Sequence, residues 1–195
     1  MERIARILDV FSQIDQQVAA FQLRTGLRCP TGCGICCCST EVYTSRVEML
    51  PAAKELLLQG EPQFWLERIQ ARDTSGLCAF FHQQKLEKAG HCGLYAYRPS
   101  VCRLFGFSTV RDRKGNCVLS TCKELKSQQP AELANAIEHQ HEAPCFIDYS
   151  TLISCIDPSA ARIVPVNDAL QQAILTVGLY MQVAHGEKLT THSAA

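Results

Sequence analysis

The stretch Cys29-Pro30-Thr31-Gly32-Cys33-Gly34-Ile35-Cys36-Cys37-Cys38 decides how the rest of the chain is read. Proline fixes φ and removes a backbone donor, and the two glycines offer no side chain to pack. A regular helix or strand cannot run through such a segment, so it is expected to be a loop. Its glycines let backbone approach a bound group closely. A single cysteine is usually a small buried hydrophobe. Five thiols in these ten residues have too little apolar company for that role. C-x-x-x-C-x-x-C with two further cysteines is instead the kind of local grouping that aims several thiolates at a metal ion or cluster.

The other cysteines extend the pattern. The chain has 12 in 195 residues, and ten of them lie between Cys29 and Cys122. An exported protein would oxidise such a set to disulfides, whereas a cytosolic one keeps it reduced for metal or catalysis. The first residues, Met1-Glu2-Arg3-Ile4-Ala5-Arg6-Ile7-Leu8-Asp9, interleave charges with apolar side chains. No export leader is expected there. No apolar run approaches the ~18 residues of a membrane span. The expectation is a reduced, soluble, cytoplasmic protein with no membrane partner.

Composition sets the scale. Apolar residues are 47% and charged residues 19% of the chain, enough for a hydrophobic core. The length suits a single domain over residues 1–195. Lys and Arg total 19 against 19 Asp and Glu. That balance argues against nucleic acid as a partner, because such binding rests on neutralising phosphates. The charge is unevenly spread: residues 98–126 hold seven basic and two acidic side chains, and residues 127–195 hold two and seven.

Periodicity gives the frame. Ile4, Ile7, Leu8, Phe11, Ile14, Val18 and Phe21 form one stripe of an amphipathic helix over about residues 2–25, with Gly26 as its stop. Residues 41–44 suit a short strand, and Ser45-Arg46-Val47-Glu48 is a capping box that opens a helix. Pro51 predicts a kink or restart before Ala52–Leu58. Pro62 begins a further helix through Trp65 and Ile69, ending near Arg72. Leu77–Phe81 and Cys92–Tyr95 read as two strands joined by a polar loop. A second hairpin pairs Phe105–Val110 with Cys117–Ser120 across residues 112–116. Helices return over about residues 130–186, one from Ala131 to His141 and a last long one capped by Asn167. That last helix shows Leu170, Ile174, Val177, Met181 and Ala184 at helical spacing. Thr190–Ala195 is a polar tail expected to fray. The predicted class is α+β, mainly helical, around an irregular cysteine-rich core at 29–122 with one or two hairpins.

Beyond the loop, thiols follow at Cys78, Cys92, Cys102, Cys117 and Cys122. Eight thiolates make either two four-coordinate sites or one polynuclear site. Such a centre is negative, and Arg98 and Arg103 are placed to compensate it and to hydrogen-bond its sulfurs. A plain solvated basic surface explains the same two residues equally well.

The order Cys29, Cys33, Cys36, Cys37, then Cys78-Ala79-Phe80, Cys92-Gly93-Leu94-Tyr95 and Arg98-Pro99-Ser100-Val101-Cys102-Arg103-Leu104-Phe105 resembles the YkgJ-type cysteine-cluster family of zinc- or iron-chelating domains. The resemblance covers about residues 29–122. It implies a metal centre ligated by Cys29, Cys33, Cys36, Cys37, Cys78, Cys92, Cys102 and Cys122. Cys38 is a third consecutive cysteine, so the register admits Cys38 in place of Cys36 or Cys37. Cys122 follows the second hairpin and is favoured as the last ligand, with Cys117 the alternative. Cys145 and Cys155 lie outside the pattern and read as core thiols. Some flagellin lysine methylases with an iron–sulfur cluster resemble this family, which adds a metal-dependent enzyme to the readings.

Other chemistries fit less well. C-x-x-x-C-x-x-C is also the cluster spacing of radical S-adenosylmethionine enzymes, but those build a large β/α barrel after it and this chain shows hairpins and helices there. His91 adjoins Cys92, yet among so many thiols it reads as ligand or bystander rather than the base of a Cys–His hydrolase. His139 and His141 read as surface residues. No phosphate loop or dinucleotide fingerprint is present. The favoured cofactor is an iron–sulfur cluster of the [4Fe-4S] type, because 13 residues separate Cys78 from Cys92 and nine separate Cys92 from Cys102. Zinc sites favour two tight C-x-x-C pairs, and this chain has no second one. Zinc remains the alternative, as a structural module serving a protein partner. A redox or maturation role goes with the cluster.

Overall fold

The structure, a computed structural model, describes residues 2–30, 32–72, 77–83 and 90–191. It is mainly helical, with short two-stranded sheets, as the sequence predicts. Helix α1 spans Glu2–Thr25 and turns Ile4, Ile7, Val10, Phe11, Ile14, Val18 and Phe21 inward. Gly26, at φ 78°, ends it in the left-handed conformation that side chains resist.

Strand β1 (Tyr43–Ser45) leads into α2 (Arg46–Leu58), and β6 (Ile163–Pro165) leads into α8 (Val166–Thr191). The two strands pair antiparallel, Tyr43 opposite Pro165 and Ser45 opposite Ile163. This sheet ties together the starts of two long helices that then pack on each other. Met49, Ala52, Ala53 and Leu56 of α2 meet Ala169, Leu170 and Ala173 of α8 in the core, all almost fully buried. Small residues let the axes approach closely, and each large apolar side chain buried contributes about 1.5–3 kcal/mol.

Several sequence expectations are revised. Helix α2 runs unbroken through Pro51, where a kink or restart was predicted. Pro51 sits in the second turn, so one ladder bond is lost, and its ring is buried in the core. Asn167 lies inside α8 and spends its side chain on residues 77 and 79. Helix α8 continues past 186 to Thr191, and the end of the predicted tail lies outside the described residues. Helix α7 (Phe146–Ile156) follows α5 (Lys123–Gln128) and α6 (Pro130–Glu138), and neither α5 nor α7 was foreseen.

Helix α3 (Pro62–Arg72) agrees with its prediction. The first hairpin exists as β2 (Phe81–Gln83) and β3 (Gly90–Cys92), with Phe81 opposite Cys92. Strand β2 starts and ends later than expected, and β3 starts and ends earlier; Tyr95–Tyr97 is a 3-10 turn. Helix α4 (Ser100–Leu104) carries Cys102, and β4 (Ser108–Arg111) pairs with β5 (Cys117–Ser120) as the second hairpin. Among the described residues no helix is long and apolar enough to cross a membrane.

Candidate metal centre

The cysteine loop is irregular up to Gly34 and then winds into a single 3-10 turn, Ile35–Cys38. This replaces the loop expected throughout. A 3-10 turn advances about 120° per residue, so Cys36, Cys37 and Cys38 leave the backbone in three directions. Cys37 N–H donates to Gly34 O at 2.9 Å, and Cys33 N–H to Pro30 O at 3.1 Å.

The glycines of this segment serve contact. Gly90 N–H on β3 donates to Gly32 O at 3.1 Å. A Cβ at Gly34 would stand 2.5 Å from the Phe81 ring and 3.0 Å from the backbone of Gly90. The loop thus lies flat against the first hairpin, which brings Cys92 of β3 and the buried Cys78 to the 3-10 turn. Cys102 comes from the other side on α4. Cys122 caps α5, where its sulfur accepts the Leu125 N–H at 3.5 Å.

Electrostatics shows which thiols share surroundings. Cys29 is pushed up to about 12 by burial, by its hydrogen bond with Cys33, and by Cys36 and Cys122. Cys36 is held down to about 6, first by the hydrogen bond from Cys37 and then, against burial, by the Arg98 charge. Its partner Cys37 is pushed up by that same bond, by burial, and by Cys36, Cys78 and Cys92. Burial raises Cys92, with Cys36 adding to it and Arg98 opposing. Burial also raises Cys102, with Cys78, Cys36 and Cys92 adding to it. The eight cysteines named from the sequence therefore form one electrostatic neighbourhood. Cys29, Cys33 and Cys122 lie at one end, Cys37, Cys78, Cys92 and Cys102 at the other, and Cys36 acts on both.

Cys38 is half-buried against the hydrophobic core. Cys117 lies on β5 opposite Arg111. Cys145 is buried, as expected of a core thiol, whereas Cys155 is exposed on α7. His91 is exposed and stacks on His82 across the hairpin at 5.3 Å between ring centres. His139 and His141 stack at 6.4 Å at the end of α6.

The two arginines have separate roles. Arg98 lies over the Tyr95 ring at 3.8 Å and acts on Cys36, Cys92 and Cys102. Its Nε–H is the one buried side-chain nitrogen or oxygen among the described residues with no hydrogen-bond partner. Arg103 does not face the sulfurs, contrary to the sequence reading. It is buried over the Phe11 ring, donating to Arg98 O at 2.8 Å and Ala96 O at 2.5 Å, and pairing with Asp15 of α1. It fastens the turn that carries Arg98 onto α1.

Sequence reading missed the residues that hold the thiol-bearing segments in place. Glu48 of α2 accepts Ser100 N–H at the start of α4. Arg68 of α3 and Asn167 of α8 bind the backbone around Cys78. Only Glu48 had a local signal, its place in the capping box.

The donor chemistry fits a soft or borderline metal. Cys29, Cys37, Cys92 and Cys102, buried and crowded by other thiols, lose protons with difficulty, and a cation reverses that balance. Thiolate or sulfide sulfur would give the orphaned Arg98 N–H an acceptor. Among the described residues no three His, Cys, Asp or Glu side chains already converge tightly enough to hold an ion. Together the fold and this thiol neighbourhood define a metal-chelating domain. The chain belongs to the CxxCxxCC family of zinc- or iron-chelating domains, whose model matches residues 28–131, just over half of the chain. No curated protein and no solved structure matches it significantly.

Proposed function

We propose that the protein carries a thiolate-ligated iron–sulfur centre in a reduced cytoplasmic setting and serves in electron transfer or in cluster maturation. The ligands are drawn from Cys29, Cys33, Cys36, Cys37, Cys78, Cys92, Cys102 and Cys122. One observation carries the reading: the buried Arg98 Nε–H has no hydrogen-bond partner, and the Arg98 charge acts on Cys36, Cys92 and Cys102. A buried donor left unpaired costs about 1–3 kcal/mol, and sulfur of a cluster or its thiolates removes that cost. Cys36 acts on thiols at both ends of the neighbourhood, which suits a polynuclear centre better than two closed four-thiolate sites. The iron–sulfur centre supplies one-electron chemistry; the chain's own residues exclude water, set the charge around the sulfurs and order the ligand loops.

The test is purification without oxygen. A brown protein with violet absorbance, iron and acid-labile sulfide is the expected result. A colourless protein with stoichiometric zinc and no sulfide would establish a structural zinc module instead.

A further inference from the structure

We infer that Asn167 on α8 is a positioning residue of the metal centre, because its side-chain amide clamps the backbone on both sides of Cys78 and so aims that thiol. This rests on the metal-centre reading above. Asn167 Nδ2 donates to Leu77 O at 2.9 Å, and Asn167 Oδ1 accepts Ala79 N–H at 2.9 Å. Only one orientation of the amide satisfies both groups, so the clamp fixes the side chain as well as the segment around Cys78.

The segment 77–80 precedes strand β2, which begins at Phe81. The amide holds one side of it. On the other, Arg68 of α3 donates to Ala79 O at 2.6 Å and Phe81 O at 3.2 Å. Cys78 O accepts Phe81 N–H at 3.0 Å and closes a tight turn. Cys78, buried between these braces, acts on both Cys37 and Cys102. It acts on Cys102 alongside Cys36 and Cys92. The clamp comes from 88 to 90 residues away in sequence and from outside the stretch matched by the family model. The C-terminal helix is thereby part of the centre's support. Groups that orient ligands in this way typically contribute about 10- to 100-fold in metal affinity.

The experiment uses the full chain purified without oxygen, with Asn167→Ala, Asn167→Asp and Asn135→Ala. Asn135 binds backbone at Thr25 O, 3.1 Å, and is a control for losing a structural amide. Asp at 167 keeps the acceptor for Ala79 N–H but sets oxygen against Leu77 O. Metal content is measured, and alkylation of each cysteine by N-ethylmaleimide is mapped by mass spectrometry. Both Asn167 variants should speed modification of Cys78 by about 10- to 100-fold, while Cys29 and Cys33 stay protected and Asn135→Ala changes neither. A purely structural amide would expose all the centre's cysteines together, and that result overturns the inference, as does a Cys78 still protected in both variants. A native protein with no metal and no protected thiol would bring down the centre itself, a distinct outcome.

Discussion

Glu48 on α2 accepts the backbone N–H of Ser100, 52 residues away, at 2.8 Å. The helix that carries Cys102 is thus capped by a carboxylate from another helix. The same carboxylate accepts the Thr44 hydroxyl at 3.1 Å, while Ser45 Oγ accepts the Glu48 N–H at 3.2 Å. The Ser45 side chain therefore caps α2, while the Glu48 carboxylate anchors α4.

Glu48→Ala leaves the Ser100 N–H buried without a partner. The expected loss is about 1–3 kcal/mol in chemical denaturation, with Cys102 more reactive to alkylation. Glu48→Gln retains a carbonyl acceptor and should lose less. Equal stability of Glu48→Ala and the parent would show that water replaces the cap.

The two arginines should separate cleanly. Arg98→Lys removes the planar donor beside the sulfurs and should weaken metal retention against a chelator about 10- to 100-fold, with little change in metal-free stability. Arg103→Met leaves two backbone carbonyls without their donor and a half-exposed Asp15 without its partner, and should cost about 1–3 kcal/mol while folded molecules keep their metal. An exchange of these two phenotypes would reverse the assigned roles.

Asp157 links pH to stability. Burial alone would raise its pKa. The Ser159 hydrogen bonds and the Arg3 and Arg46 charges outweigh that and hold it below the ordinary carboxylate range. Ser159 N–H lies 2.9 Å and Arg3 2.8 Å from its oxygens. A depressed folded pKa means the contribution is complete above the unfolded value of about 3.9 and is lost as pH falls through the folded one. Melting temperature should therefore fall at acid pH less steeply in Asp157→Asn than in the parent. Parallel acid slopes would remove Asp157 from the account.

Metal and folding should be coupled in the cysteine region. The loop around Cys33 has Ile35 as its only apolar residue apart from thiols, so ligand bonds have to order it. Chelation should abolish the near-ultraviolet circular dichroism of the region 29–122 and open it to protease, while α1 retains helical signal. Unchanged protease resistance after complete metal removal would contradict this.

What could be read from the sequence was whatever is local. The stripe of α1, the capping box at Ser45, the turn at 112–116 and the cysteine spacing each lie within a few residues of one another. The pairing of β1 with β6 joins residues some 120 apart and carries no local signal. Helix α7 went unseen because its sequence, Phe146–Ile156, mixes exposed Ile147 and Leu152 with buried Tyr149 and Ile153 and shows no clean stripe. Asn167 was misread for a related reason. An Asn near a helix start suggests a cap, and only the folded chain shows that its amide binds the backbone on either side of Cys78 instead. Arg103 sits one residue from Cys102 in sequence, yet the helical turn points it at α1.

The most direct test of the account is metal stoichiometry across cysteine-to-serine variants purified without oxygen. Changing Cys29, Cys33, Cys78, Cys92 or Cys102 should each lower bound metal sharply. Changing Cys117, Cys145 or Cys155 should leave it at the parent level. If Cys145→Ser loses as much metal as Cys33→Ser, the eight-thiol neighbourhood is not the metal centre.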